Sequence, residues 1–121
     1  MGCGKENPCG LKLEFSYGNG FAVTESVLGR MYEGYENIVH GGIISLVLDE
    51  VSAKAVIEYE GVAVTARIQV SFIKPLMCGV PFTAQARIES VEGRKIFVKG
   101  ELKEAGVLIA RSESVFIKVG E

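Results

Sequence analysis

The chain has 121 residues, 48% of them apolar and 23% charged, with a formal net charge of −2. These values predict one globular domain over residues 1–121 and exclude the disordered and fibrous classes. A fold this small buries about two-thirds of its unfolded surface. That leaves room for a core but little for a long closed pocket, so a pocket shared between subunits is expected.

Charge is unevenly placed. Residues 1–60 hold four Lys/Arg against nine Asp/Glu, while 61–121 hold nine against six. The second half suits either an anionic ligand or the solvated face of strands with alternating signs. No basic run marks a nucleic-acid partner. The uncharged stretch from Asn37 to Leu48 falls well short of the ~20 residues of a membrane span, and no basic-then-apolar leader opens the chain. No membrane association and a cytoplasmic location are expected. Cys3, Cys9 and Cys78 are odd in number, lack Cys-x-x-Cys spacing and share the chain with a single histidine, His40. Reduced thiols, with no metal and no cofactor, follow.

In chain order, Leu11, Leu13, Phe15 and Tyr17 alternate with polar residues. After Gly18-Asn19-Gly20 an extended run goes on from Phe21 to Leu28, which predicts a hairpin. From Gly42 to Glu60 the apolar residues cover most of a helix circumference, and Gly61 supplies a stop. A helix apolar nearly all round is expected to be buried, and about 19 residues without a turn is too long for a strand. Beyond Gly61, Val62, Val64, Ala66, Ile68, Val70 and Phe72 are expected on one face of a strand, with Thr65, Arg67, Gln69 and Ser71 on the other. A second alternating run starts at Val80. Glu92-Gly93 and Ala105-Gly106 then turn the chain into runs 94–104 and 107–119. Consecutive strands with short turns predict an antiparallel meander. The fold class is α+β, with a curved antiparallel sheet wrapped around one long helix.

Two stripes break the helix's apolar pattern. Glu50, Lys54 and Glu58 stand four apart and form an ordinary solvated or interface edge. Ser45, Asp49 and Ser52 form the other. An ionised carboxylate is costly in apolar surroundings, so Asp49 faces either a cavity, water or a partner chain, or else an interface salt bridge or a neighbouring serine hydroxyl. The helix begins His40-Gly41-Gly42. Unpaired N–H groups at a helix start, beside glycines that allow close approach, are suited to a developing oxyanion. No Gly-Lys-Ser/Thr follows, so this is not a nucleotide-phosphate loop. Gly41 and Asp49 stand eight residues apart, ~12 Å along a helix. If they act on one carbonyl, the second must come from another subunit.

The run Asn37-Ile-Val-His40-Gly41-Gly42 with Asp49 nine residues after the histidine resembles the signature of hotdog-fold acyl-CoA thioesterases of the PaaI-like branch, related to the 4-hydroxybenzoyl-CoA thioesterases. The segment from Cys3 through Asn7-Pro8-Cys9-Gly10-Leu11 to Phe15 is similar to the start of many members, and Val64-Thr65 through Phe72-Ile-Lys-Pro75 to their strand after the helix. The resemblance implies a hotdog fold and hydrolysis of an acyl-CoA to free acid and CoA. It implies that the Gly41 N–H polarises the carbonyl, and that Asp49 of the partner's helix attacks it or activates water. Thr65 matches the hydroxyl residue that orients the acid or the water, and His40 the motif histidine, which as a lone histidine in a tight loop suits a structural hydrogen bond. Some relatives carry an assisting amide seven residues before the glycine. Here that position is Gly34, and Asn37 is the nearer amide. Arg67, Arg94 and Lys95 are candidate partners for the CoA phosphates. A homodimer or dimer of dimers is expected. The alternative is a hotdog domain that binds acyl-CoA without turnover; the acid at position 49 favours the hydrolase.

Overall fold

The structure, a computed structural model, describes residues 13–119. Cys3, Cys9, Leu11 and the rest of residues 1–12 lie outside it. Strands β1 (Ser16–Gly18) and β2 (Phe21–Val27) lead through a short 3-10 turn (Arg30–Tyr32) to the small pair β3 (Glu33–Tyr35) and β4 (Ile38–Val39). Helix α1 (Gly41–Glu60) follows, then β5 (Ala63–Phe72), β6 (Pro81–Glu92), β7 (Lys95–Glu104) and β8 (Val107–Lys118). The first hairpin exists, although its opening strand is shorter than the alternation from Leu13 predicts. Asn19-Gly20 and Ala105-Gly106 both carry positive φ at both residues, as tight two-residue hairpins require.

The six-stranded sheet is antiparallel in the order β1-β2-β6-β7-β8-β5. The meander β6-β7-β8 is as expected, but β5 does not sit beside β6. The free side of β6 is taken by β2, from Phe21↔Arg87 to Val27↔Pro81. β5 therefore lies on the far edge against β8, and the crossover leaving it is pinned where the Ile73 and Lys74 N–H groups both donate to the Ile109 carbonyl, at 2.8 and 3.1 Å.

Helix α1 lays Ile44, Val47, Leu48, Val51, Ser52, Ala55 and Val56 on the sheet. Small residues let it approach closely: a Cβ on Gly100 would stand 2.5 Å from Ser112 Oγ and 3.4 Å from Leu48 Cδ2. The expectation of a helix buried all round is corrected. A single sheet layer covers one face, so Ile43, Leu46 and Ala53 stay half-buried and Ile57 is exposed. The end is as read: Gly61, at φ 97°, donates its N–H to the Val56 carbonyl.

A second correction concerns β5. Thr65 pairs with Phe116 and Arg67 with Val115, so Ala66 is an extra residue, a β-bulge. Phe116 is buried against the helix, and directly paired residues share a face. Thr65 therefore faces α1, as do Ile68 and Val70 opposite the buried Ser114 and Ser112. Val62 and Val64, expected in the core, are 69% and 53% exposed. The two-residue period breaks phase at Ala66, which puts Thr65 on the side opposite to the one its sequence alternation implies.

Candidate active site

The first turn of α1 is closed almost entirely by His40. Its Nδ1 accepts the Gly42 N–H at 2.8 Å, and its carbonyl accepts those of Ile43 and Ile44 at 3.0 and 3.3 Å. Of the amides that open the helix, only that of Gly41 has no partner among the described residues. His40 is thus a helix cap, itself held by its N–H to the Tyr32 carbonyl at 2.8 Å. Gly34 packs directly behind it, where a Cβ would stand 2.9 Å from His40 Cα. That contact explains why an amide side chain does not occupy this position: any side chain would displace the cap.

Asp49 lies two turns further along α1, half-buried. Thr65 Oγ1 donates to its Oδ1 at 3.0 Å, which fixes the carboxylate's rotation and leaves Oδ2 for another donor. Ser45 is half-buried on the same stripe, whereas Ser52 is fully buried against the sheet. Asn37 sits at the turn between β3 and β4 with φ 62°. Its N–H contacts the Glu33 carboxylate and its carbonyl accepts the Cys78 N–H at 2.8 Å; its side chain makes no hydrogen bond to Gly41. Gly41, His40, Asp49 and Thr65 thus line one helix, with Asn37 on a neighbouring hairpin.

The three basic candidates do not converge. Arg67 lies on the sheet face away from α1, in a dent with Gln69, Phe97 and Lys99. Arg94 lies in the β6–β7 turn and Lys95 opens β7, and Arg94 donates to the Lys118 carbonyl at 2.9 Å. Phe72 and Lys74, not singled out from sequence, border a groove of about 360 Å³ that begins at Gly41 and is walled by Ile38, Val39, Ile44, Pro75 and Leu76. Phe72 escaped notice because a strand phenylalanine reads as core, yet it is 54% exposed. Among the described residues no group of His, Cys, Asp and Glu is placed to hold a metal, and no helix is long and apolar enough to cross a membrane.

One long helix on a curved antiparallel sheet, with a glycine turn opening the helix and an acid two turns in, is the hotdog fold. The chain belongs to the Thioesterase superfamily, whose family model matches residues 36–109. It is 34% identical over 92 residues to an uncharacterized protein of Schizosaccharomyces pombe, covering 70% of this chain and 53% of that one. It is 29% identical over 93 residues to the acyl-coenzyme A thioesterase THEM4 of Mus musculus, covering 75% and 40%. The chain thus spans about half the length of these relatives or less. In structure it resembles the E. coli PaaI protein of the phenylacetic acid degradation operon, with a TM-score of 0.82, 19% identity and coverage of 88% and 82%.

Proposed function

We propose that the protein hydrolyses an acyl-CoA thioester to free acid and CoA. The observation that carries this reading is the division of labour along α1. One amide, that of Gly41, is left over where a glycine start allows close approach, and one carboxylate, Asp49, is oriented by a threonine hydroxyl. A thioester carbonyl accepting the Gly41 N–H gains stabilisation as negative charge develops on its oxygen. Asp49 acts on the carbonyl carbon, directly as nucleophile or by taking a proton from water. Membership of the Thioesterase superfamily and the relative named an acyl-coenzyme A thioesterase support this chemistry.

The ~12 Å of helix between the two groups requires that each site take its amide from one chain and its acid from another. A second copy of the chain is therefore the partner, as a dimer or a dimer of dimers. The half-open face of α1, with Ile43, Leu46 and Ala53, and the edge strand β5 are the surfaces available to it. Asn37, with its backbone committed to the turn, is a positioning residue for the strand that leads into His40. No role is given to Arg67, Arg94 or Lys95 in the groove; CoA phosphates would meet them only from a neighbouring copy or across the outer sheet face.

A panel of short, medium, long and aromatic acyl-CoA esters, read by release of free thiol, tests the activity. Asp49→Asn keeps size and polarity but removes basicity, and turnover should fall by about 10²- to 10⁴-fold with little change in substrate affinity. Hydrolysis at the parental rate by this variant would make Asp49 structural and leave a domain that only binds acyl-CoA.

A further inference from the structure

The groove that starts at Gly41 is unusual in what it lacks. Besides Gly41, it is bordered by the apolar residues Ile38, Val39, Ile44, Phe72, Ile73, Pro75 and Leu76, and Lys74 is the one charged residue among the described residues along it. Several backbone N–H groups beside it are already paired. The Val39 N–H donates to the Leu76 carbonyl at 2.9 Å, the His40 N–H to that of Tyr32, and those of Ile73 and Lys74 to that of Ile109. Pro75 has no N–H to offer. The groove therefore presents a mainly apolar lining that begins at the Gly41 amide, which has no partner among the described residues.

An acyl-CoA thioester has two arms that leave the reacting carbonyl. The pantetheine arm carries two amides, each with a donor and an acceptor to satisfy, and a mainly apolar lining offers them few partners, so burying them there costs part of their desolvation. The acyl arm is hydrocarbon and loses nothing there. Phe72 stands at the junction: a Cβ on Gly41 would lie 3.5 Å from its Cζ and 3.6 Å from Cε1, in ordinary van der Waals contact. A carbonyl oxygen held by the Gly41 N–H would have the first atoms of one arm against that ring. At about 360 Å³ the groove lies near the lower end of the range for ligand pockets, about 300 to 1,000 Å³, which fits a compact group.

We propose that the Gly41 groove takes the acyl arm, an uncharged hydrocarbon or aryl group, and that the Phe72 ring is the residue that sets acyl selectivity. The proposal rests on the hydrolase reading and adds to it the identity of the arm and the residue that discriminates. Packing on an aromatic face favours aryl and medium alkyl groups over acetyl, whose methyl is too short to cover the ring.

The test compares kcat/KM of the parent, Phe72→Leu and Phe72→Ala for acetyl-, hexanoyl- and benzoyl-CoA. The parent should prefer hexanoyl and benzoyl to acetyl. Phe72→Ala should lower kcat/KM for those two by roughly tenfold or more while moving acetyl-CoA by less than about threefold, and Phe72→Leu should restore hexanoyl but not benzoyl. Because Phe72 is half-exposed, both variants should keep the parental thermal midpoint to within a few degrees. An equal loss on all three esters would place the pantetheine arm on Phe72 and overturn the proposal, as would no change on any. A parent inactive on every ester removes the hydrolase reading itself, and the acyl assignment falls with it.

Discussion

The two halves of β5 do different work on the same helix. Before Ala66 the strand brings Thr65 to the middle of α1, where it holds Asp49. After Ala66 it brings Phe72 to the helix start, against Gly41. Thr65 and Phe72 are seven positions apart, an odd number, and in a regular strand they would face opposite sides. The bulge supplies the missing phase step. One extra residue thus lets a polar anchor and an apolar wall share a face that neither alternation nor composition would have given them.

The polar half is the more sensitive of the two. Thr65→Val keeps the shape and removes only the hydroxyl, so the carboxylate loses its orienting donor. We expect kcat to fall roughly ten- to hundredfold, KM to hold, and Thr65→Ser to recover most of the loss. Recovery by serine distinguishes an orienting hydroxyl from simple packing. An unchanged kcat in Thr65→Val would mean that the bond to Asp49 has no part in turnover.

The bulge itself gives a smaller effect with an unusual sign. Deleting one residue from a regular strand reverses every side chain on one side of the cut. Deleting Ala66 should instead regularise β5, because Thr65 would still pair with Phe116 and Arg67 with Val115. Activity should stay within roughly tenfold of the parent. Loss of folding, or of all activity, would show that the bulge's twist, rather than its phase step, is what the site needs.

Much of this arrangement is legible in the chain itself. The helix is readable to within one residue at its start, because Gly61 ends it at a positive φ and because only Ser52 interrupts the apolar residues on its sheet-facing side. The hairpins around Gly20, Gly93 and Gly106 follow from turn chemistry that acts locally. What stayed hidden depends on distant partners. The position of β5 beside β8 is decided by β2 occupying the edge of β6, a contest that local pattern cannot register. The bulge is likewise set by pairing: Val64, Ala66 and Ile68 alternate without a break in sequence, yet the first points outward and the last toward the helix. At the helix start, the motif glycines marked the right turn. The sequence does not reveal that His40 would occupy the Gly42, Ile43 and Ile44 amides and leave Gly41's without a partner among the described residues, nor that Gly34 would be held small by His40.

The central claim is a site that takes its amide from one chain and its acid from another, and complementation tests it most directly. Gly41→Pro removes the amide where proline is tolerated, in the first helical turn. His40, at ψ 133°, already has the backbone that a residue before proline adopts. Gly41→Ala, which keeps the amide and meets Phe72 only at contact distance, controls for added bulk. Gly41→Pro and Asp49→Asn chains should each fold and be nearly inactive alone. Mixed and refolded together, half the dimers pair one of each, and each such dimer has one site with both lesions and one with neither. Activity should return to about one quarter of the parent. Mixed dimers, verified by mass, that remain as inactive as either variant alone would contradict a shared site.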